Sequence, residues 1–478
     1  MNNTWLNNSV ERFWDRRDEL AALAGWAGRR ARLAVVHGRR RLGKTRLIRH
    51  WLRRAAGCYA LAMEGPAAAQ RAALADDIAG VIPGFNRVIY PTWRTLFQAV
   101  AAHWPRGPRL PSLIIDEFPC LAASSPELAS VVQGFADADA AQRVPLLLCG
   151  SSQRMMQGLV LDASAPLYGR ADLVLRLQPL PPTAMRAALR LGSAPETVEA
   201  YAAYGGVPRY WELLVETRLS LRRALEKLVF EPGGVLHEEP ERVLRDEESA
   251  AIERAVCEMI GRGVRRASEI AGRLGVKETA LARPLKHLTE LGLVARESPF
   301  DFRSGRPVEG GRRSFYCVAD PFLAMWYRCV RPNISGLKLR ASTALERAWQ
   351  AWPRHVADVW EDLCRGACHR LDLFGNAWEP AGRYWEGRDP GQSEWDVASV
   401  SANRRAVLLG ECKWAARLTH ADANRLTRQI KARPVPSVGE DRQVCHALFV
   451  PTRQGLARMM NGVAVVDAAD VVGEDRTK

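Results

Sequence analysis

One stretch of the sequence, Gly38-Arg39-Arg40-Arg41-Leu42-Gly43-Lys44-Thr45, decides the fold of the first part of the chain. It matches the phosphate-loop pattern G-x-x-x-x-G-K-[ST] at every fixed position. The apolar residues 33–37 before it predict a buried strand, and residues 46–52 after it predict a helix. A glycine-rich loop between a strand and a helix points its backbone N–H groups at an anion, and the helix adds the positive end of its dipole. The stretch therefore predicts a phosphate site in an α/β fold.

The loop residues 38–45 are the predicted nucleotide ligands. Lys44 is expected to reach the β- and γ-phosphates of ATP, and the Thr45 hydroxyl is expected to hold Mg²⁺. A second apolar strand, residues 111–115, ends in Asp116 and Glu117, the order of a Walker B motif. Asp116 is predicted to hold Mg²⁺ through water, and Glu117 to orient or deprotonate the attacking water. The alternative for Glu117 is an ordinary surface carboxylate.

Two further residues are candidates for contact with the γ-phosphate. Ser151 follows a third predicted strand, residues 144–149, which is expected to lie between the strands that carry the first two motifs. Its hydroxyl is predicted to sense the γ-phosphate, and a helix cap is the alternative. Arg170 precedes another strand, residues 173–177, where an arginine finger would act on the ATP of a neighbouring subunit. A structural arginine is the alternative there.

This set of motifs resembles the prokaryotic AAA+ ATPase family often called archaeal-type ATPases. The resemblance implies a P-loop core with a parallel sheet over residues 1–178 and a helical lid over residues 179–247. It also implies that Arg16 and Glu19 lie near the adenine base. The segments that carry the resemblance are residues 13–20, 37–45, 114–118, 149–170 and 204–210.

The composition limits the class of protein. The 478 residues are too many for one core and predict roughly three or four domains. A hydrophobic share of 47%, with neither a membrane-spanning run nor a signal peptide, predicts a cytoplasmic protein without a membrane partner. The 10 cysteines lack zinc-site spacing and predict reduced thiols. The net charge of +15 favours a polyanionic partner such as DNA.

Residues 248–330 predict a winged helix-turn-helix. Helices are expected over 251–260, 267–274 and 278–288, with the two strands of a wing over 291–296 and 314–318. The charged residues 238–248 before it predict a linker. The alternative to DNA contact is a winged helix that serves only as a structural or docking module. The side chains predicted to meet DNA phosphates are Arg283, Lys286 and His287 on the last helix, and Arg303, Arg306, Arg312 and Arg313 at the wing tip.

Residues 331–478 carry a second candidate site. Residues 395–400 and 406–414 predict two strands joined by the turn 401–405. If they form a hairpin centred between residues 403 and 404, Asp396 lies opposite Glu411, with the Cβ atoms about 5 Å apart. Lys413, two residues further on, shares their face. The hairpin therefore predicts two carboxylates and a lysine at one place.

Two adjacent carboxylates repel each other unless a cation lies between them, and Mg²⁺ or Mn²⁺ suits such oxygen ligands. Lys413 would then steer the attacking water in metal-assisted phosphodiester hydrolysis. The order Asp, then Glu-x-Lys, resembles the PD-(D/E)xK nuclease superfamily. That resemblance implies an α/β nuclease-like domain and adds Glu361, on the preceding helix, to the metal ligands. The alternatives are a chance pattern and an inert nuclease-like scaffold.

The basic helix expected over 419–431 either follows a phosphate backbone or is a solvated face. The sequence as a whole predicts a protein that binds and hydrolyses ATP with Mg²⁺ and acts on DNA through a metal-dependent nuclease domain, with an ATP-dependent homo-oligomer as a further expectation. The alternative is a nucleotide-gated regulator that binds DNA or a protein and whose nuclease-like domain is inert.

Overall fold

The computed structural model describes residues 13–27, 32–107, 110–139, 143–163, 165–246, 251–308, 313–386, 394–415, 418–436 and 442–473. The chain divides into two compact units. The first comprises residues 1–180 and 207–209, and the second comprises residues 181–206 and 210–478. The predicted domain boundary after residue 247 falls outside the described residues, and the other predicted boundaries stay predictions.

The first unit is built on a five-stranded sheet whose paired strands are all parallel. Three of its strands are buried along their whole length, as expected for a parallel sheet covered by helices on both faces. The strands are β1 (Leu33–His37), β2 (Gly57–Leu61), β3 (Ser112–Asp116), β4 (Leu146–Gly150) and β5 (Leu173–Arg176).

The strand order is β2-β3-β4-β1-β5. Strand β4 thus lies between β1, which leads into the glycine-rich loop, and β3, which ends in Asp116, as predicted. The α/β fold with a parallel sheet is also confirmed. The helices of this unit are α1 (Arg17–Ala27), α2 (Lys44–Leu52), α3 (Ala67–Ile78), α4 (Trp93–His103), α5 (Phe118–Ser124), α6 (Leu128–Ala136) and α7 (Gln153–Met156).

The next segment is helical and contains one wrong prediction. The charged residues 239–246, predicted as a linker, form an amphipathic helix that packs into the protein. Tyr210 donates a hydrogen bond to Glu239 at 2.8 Å, and Trp326 donates to the carbonyl of His237 at 2.7 Å. The helices are α8 (Pro182–Leu189), α9 (Ala194–Tyr204), α10 (Pro208–Thr217), α11 (Leu221–Leu225) and α12 (Glu239–Asp246).

Three helices and a two-stranded antiparallel ribbon follow, in the order predicted from the sequence. The ribbon pairs Val294 with Val318 and Glu297 with Phe315, and a second short strand pair lies within its tip. The elements are α13 (Ala251–Gly261), α14 (Ala267–Leu274), α15 (Ala282–Glu290), β6 (Val294–Glu297), β7 (Phe300–Asp301), β8 (Arg306–Pro307) and β9 (Phe315–Val318).

The remainder of the second unit is a mixed sheet with helices on both faces. Leu408 packs on the long helix Ser342–Ala367 (α18), whereas its neighbour Leu409 packs on the helix His420–Ala432 (α19), because successive strand residues point to opposite faces. The elements are α16 (Pro321–Met325), α17 (Ile334–Lys338), α18 (Ser342–Ala367), β10 (Gly382–Trp385), β11 (Glu394–Val400), β12 (Ala406–Cys412), α19 (His420–Ala432), β13 (Gln443–Val450), β14 (Met459–Met460), β15 (Val463–Asp467) and α20 (Ala468–Val471).

Its strand order is β10-β11-β12-β13-β15-β14. Single 3₁₀ or π turns occupy Phe85–Arg87, Gln157–Leu161, Glu226–Phe230, Glu278–Leu281, Trp326–Val330, Arg331–Asn333 and Cys368–Arg370. Across the described ranges, every helix is too short or too polar to cross a lipid bilayer.

Candidate functional site

The glycine-rich loop connects β1 to α2, and two of its residues need glycine. Gly38 and Gly43 have φ angles of 143° and 89°, which side chains disfavour. A Cβ at Gly38 would also lie 2.7 Å from the carbonyl oxygen of Leu177. Because α2 begins at Lys44, its first backbone N–H groups have no partner within the helix and face the loop. The loop has the geometry of an anion site.

Lys44 lies inside this loop. Its Nζ donates to the carbonyl oxygens of Gly38 at 2.7 Å and Arg39 at 3.1 Å, and the residue is only 6% exposed. Leu42, by contrast, points into the core, and its carbonyl accepts a hydrogen bond from Arg16. Lys44 can thus offer its side-chain ammonium group to a phosphate, whereas Leu42 can offer only backbone groups.

Thr45 and Asp116, the two predicted Mg²⁺ ligands, lie side by side. Thr45 Oγ1 donates to Asp116 Oδ2 at 2.7 Å. The same oxygen accepts a second hydroxyl, that of Tyr59, also at 2.7 Å. Asp116 Oδ1 accepts the backbone N–H of Glu117 at 3.0 Å, and the residue is 1% exposed. The sequence did not reveal Tyr59, because no motif marks it and only the pairing of β2 with β3 brings it to Asp116.

Glu117 and Ser151 also meet. The Ser151 hydroxyl donates to Glu117 Oε2 at 2.9 Å, and its backbone N–H donates to the same oxygen at 3.3 Å. Glu117 has a left-handed backbone with a φ of 55°. A non-glycine residue in that region is uncommon and often marks a functional position. The carboxylate is therefore held between the ends of β3 and β4.

Arg170 is engaged within its own unit. Its guanidinium forms an ion pair with Asp137 at 2.9 Å and donates to the carbonyl of Pro166 at 3.3 Å. These contacts favour the structural alternative for Arg170 over an arginine finger. Arg16, which the family resemblance puts near adenine, bonds to the carbonyls of Leu42 and Gln178 and to Glu19. It ties the chain before α1 to the glycine-rich loop.

The hairpin β11–β12 has the predicted register. Val397 pairs with Gly410 and Val400 with Val407, so Asp396 comes opposite Glu411. Asp396 Oδ2 accepts the backbone N–H of Cys412 at 2.8 Å. The prediction that one hairpin brings the two carboxylates to one face is confirmed.

The Glu411 carboxylate lies between two cations. Lys413 Nζ donates to Oε1 at 2.6 Å, and Arg433 Nη1 donates to Oε2 at 2.7 Å. Burial alone would raise the pKa of Glu411, but the hydrogen bonds from Arg433 and Lys413 outweigh it and hold the pKa below its usual value. Lys413 is where the sequence placed it. Arg433 was missed because it lies after α19, far along the chain.

Glu361, on α18, completes the set of predicted carboxylates. Burial, and then the negative charge of Asp396, raises the pKa of Glu361 to about 7. Burial, and then the charge of Glu411, raises the pKa of Asp396 as well. The three carboxylates are thus within electrostatic reach of one another, and their oxygens are of the kind that Mg²⁺ prefers.

These carboxylates are nevertheless not assembled as a metal site. Within the described ranges, no three Asp, Glu, His or Cys side chains are arranged so that they could hold a metal ion. That Glu361, Asp396 and Glu411 bind a metal ion therefore stays a prediction, because in this arrangement the three side chains are not grouped as a metal site. The reason is competition: Glu411 bonds to Arg433 and Lys413, and Glu361 faces Arg365 at 3.9 Å.

Arg365 and Arg383 were also missed by the sequence reasoning. Arg365 Nη1 donates to the carbonyl of Asp396 at 2.8 Å, and its guanidinium lies 3.5 Å from Glu297 on β6. Arg383 forms an ion pair with Glu394 and lies 4.0 Å from Glu297. Both side chains are largely buried, so they offset the negative charge around Asp396 where water cannot.

Most of the side chains predicted to contact DNA are exposed, and one faces another helix. Arg283, Lys286, Arg303, Arg306 and Arg313 are exposed, whereas Arg312 lies outside the described residues. His287 is a correction, because its Nδ1 bonds to Glu253 on α13 at 2.7 Å and it faces that helix. Ribbon residues Phe300 and Phe302 pack in one core with residues of β11 and β12, and Arg442 donates to the carbonyl of Phe302 at 2.6 Å. The base of the ribbon tip is thus a packing element of the C-terminal sheet.

Comparison with known proteins supports the nucleotide site. Residues 13–214 match the family described as an ATPase domain predominantly from Archaea, and residues 326–426 match one described as archaeal and bacterial proteins of unknown function. The chain is 26% identical over 408 residues to an uncharacterized protein of Methanocaldococcus jannaschii, an alignment that covers 84% of this chain and 87% of that protein.

One solved ATPase structure has the same fold. The Walker-type ATPase of Pyrococcus abyssi is 18% identical and superposes with a TM-score of 0.50, covering 68% of this chain and 99% of that one. The ORC2 protein of Aeropyrum pernix, in ADPNP–ADP complexes, is 15% identical with a TM-score of 0.43 over 72% of this chain and 97% of that one. Residues 13–214, which carry the glycine-rich loop and the Walker B strand, thus match an archaeal-type ATPase domain, and the chain shares the fold of a P-loop ATPase.

Proposed function

We propose that this ATPase acts on DNA and that its C-terminal sheet cuts phosphodiester bonds with a divalent cation. The observation that supports cleavage most strongly is the group of Glu361, Asp396 and Glu411. Two of these carboxylates have raised pKa values because they are buried beside like charge. A bound Mg²⁺ or Mn²⁺ would remove that repulsion and polarise a phosphodiester.

In the first unit we assign Lys44 to the β- and γ-phosphates of ATP, with the loop N–H groups beside it. Thr45 and Asp116 are the proposed holders of Mg²⁺, which would offset the negative charge of the phosphates. Glu117 is the proposed group that orients the attacking water. Its carboxylate accepts both donors of Ser151, so Ser151 acts first on Glu117 and only through it on the γ-phosphate.

In the second unit the side chains that would act on DNA have separate tasks. Asp396, Glu411 and Glu361 are the proposed cation ligands, and Lys413 is the proposed contact to the attacking water or the scissile phosphate. Before Glu411 can bind a metal ion, its ion pair with the Arg433 guanidinium must break. The exposed Arg283 and Lys286 and the basic face of α19, at Arg425 and Arg428, are the proposed phosphate contacts. The net charge of +15 agrees with a polyanionic partner in a cytoplasmic protein.

The experiment is a plasmid-nicking assay with Mg²⁺ or Mn²⁺, using the full chain and two variants. Glu411→Ala is expected to retain ATP turnover and to lose cleavage, whereas Lys44→Ala is expected to lose nucleotide binding. Equal nicking by the wild type and Glu411→Ala would assign the cleavage to a contaminant and would contradict the proposal.

A second candidate is a nucleotide-gated protein that binds DNA or a protein and cuts nothing. It is favoured by the ion pairs of Glu411 with Arg433 and Lys413, which compensate the carboxylate without a metal. Binding of labelled duplex DNA with no nicking under any divalent cation would select this candidate. An ATP-dependent homo-oligomer fits either candidate, and sedimentation with a non-hydrolysable ATP analogue tests it.

A further inference from the structure

Tyr59 lies on β2 and belongs to none of the nucleotide-binding motifs. Its hydroxyl donates to Asp116 Oδ2 at 2.7 Å, the same distance as the Thr45 hydroxyl and to the same oxygen. Since Asp116 is 1% exposed, water cannot readily replace a lost donor at this carboxylate. With the Glu117 N–H on Oδ1, these donors fix how the carboxylate is turned.

Tyr59 is itself held by the helix that follows the glycine-rich loop. The Arg49 guanidinium on α2 lies over the Tyr59 ring, 4.9 Å from its centroid. Arg49 is one helical turn after Thr45 and therefore on the same side of α2. Helix α2 thus supports both hydroxyl donors of Asp116 Oδ2, one directly through Thr45 and the other through Arg49 and Tyr59.

We propose that Tyr59 is a positioning residue for Mg²⁺: it holds the Asp116 carboxylate in the orientation in which it accepts the cation's hydration water. Tyr59 does not itself touch the cation or the nucleotide. This inference rests on the proposed roles of Thr45 and Asp116. It predicts that Tyr59 affects the part of ATP affinity that depends on Mg²⁺ and leaves the part that comes from the phosphate loop unchanged.

The test measures ATP affinity by calorimetry on the full chain carrying Glu117→Gln, so that ATP persists during the titration. Each protein is titrated once with excess Mg²⁺ and once with EDTA, and the ratio of the two dissociation constants is the Mg²⁺-linked gain. Tyr59→Phe is expected to reduce this gain roughly tenfold, because a hydrogen bond to a buried charged group is lost. Its affinity in EDTA should match that of the parent.

Two further variants make the result interpretable. Tyr90→Phe is the matched control, because the Tyr90 hydroxyl donates only to a backbone carbonyl, that of Phe85 at 3.0 Å, and the Mg²⁺-linked gain should not change. Thr45→Val removes the proposed ligand itself and should reduce the gain at least as much as Tyr59→Phe.

A normal gain in Tyr59→Phe together with a reduced gain in Thr45→Val would overturn the role of Tyr59 and leave the proposed Mg²⁺ site standing. A normal gain in both variants would overturn the Mg²⁺ site as well. Equal losses of affinity with Mg²⁺ and with EDTA in Tyr59→Phe would show a general structural role and would also overturn the inference.

Discussion

Asp116 in the first unit and Glu411 in the second are both acids at the ends of buried strands, yet their partners differ. Asp116 accepts hydrogen bonds from the neutral donors of Thr45, Tyr59 and the backbone of Glu117. Glu411 accepts from the charged groups of Lys413 and Arg433. Neutral donors orient a carboxylate without cancelling its charge, whereas cations cancel it.

The difference suggests how ready each region is for a cation. Asp116 keeps a negative charge next to the glycine-rich loop, where a phosphate-bound Mg²⁺ would come. Glu411 already has its counter-charges, and a metal would have to displace one of them. The first region is organised in advance for its ligand, and the second has to change its ion pairs before it can bind a metal.

The greatest loss of activity is expected for a substitution beside Asp116, in the first region. Glu117→Gln should lower the ATP turnover number roughly a thousandfold, because an amide cannot accept the proton or orient the water as a carboxylate does. ATP binding by calorimetry should persist. Glu411→Gln is the matched control and should leave ATP turnover at the wild-type value. A similar loss of turnover in both variants would contradict the separate roles of the two acids, because it would make them parts of one activity.

The sequence predicted the first region well, because its geometry is local. A phosphate loop is set by Gly38, Gly43 and Lys44 within eight residues, and the strand before it follows from apolar residues alone. The hairpin register of the second region was also predictable, since Asp396 and Glu411 are equidistant from one tight turn. Neither prediction needed knowledge of contacts between distant segments.

A change of pH should reveal the repulsion between the carboxylates of the second region. The pKa of Glu361 is raised to about 7 in the folded chain, from 4.5 when unperturbed, by burial and by Asp396. Between pH 4.5 and about pH 7, Glu361 is protonated more often in the folded chain than in the unfolded chain. Its contribution to the free energy of unfolding is therefore greatest below pH 4.5 and falls as the pH rises towards about 7. In the wild type, this contribution of Glu361 to the free energy of unfolding should fall by roughly 3 kcal/mol or less between about pH 5 and about pH 8. Glu361→Gln should remove this decline.

The measurement is denaturant unfolding of both proteins at the two pH values. If the carboxylates take up a cation, Mg²⁺ should restore stability at the higher pH in the wild type and have no such effect in Glu361→Gln. The same pH dependence of stability in the wild type and in Glu361→Gln would contradict the charge repulsion described for Glu361 and Asp396.

Arg433 offers a smaller effect in the same region. Arg433→Met keeps an unbranched apolar stem but removes the ion pair with Glu411, the hydrogen bond to the carbonyl of Glu394 and the contact over the Trp395 ring. Stability of the full chain should fall by about 2 kcal/mol, since a largely buried carboxylate loses one of its two cations. Arg425→Met is the control, because Arg425 forms an ion pair with Asp422 on the surface. The loss of that ion pair should not measurably change the stability.

The unpredicted residues share one property, which is that distant segments bring them to their partners. Tyr59 meets Asp116 only because β2 and β3 are neighbours, and Arg433 meets Glu411 only because the chain returns after α19. His287 was expected on a polar surface but faces Glu253 on another helix. Helical periodicity places a side chain on one side of its own element, and it cannot say which other element covers that side.

The smallest effect concerns Ser151 and tests how firmly the first region is organised. Ser151→Ala removes the hydroxyl that donates to Glu117 at 2.9 Å but retains the backbone N–H on the same oxygen. One of two donors persists, so we expect ATP turnover to fall only about fivefold, equivalent to roughly 1 kcal/mol. The Michaelis constant for ATP should not change, because Ser151 acts through Glu117 and not on the bound nucleotide.

Steady-state kinetics of Ser151→Ala in the wild-type and Glu117→Gln backgrounds separates a role through Glu117 from direct contact with the γ-phosphate. If Ser151 works through Glu117, its substitution has no further effect once the carboxylate is gone. An equal loss in both backgrounds would mean that Ser151 contacts the γ-phosphate itself, as a sensor would.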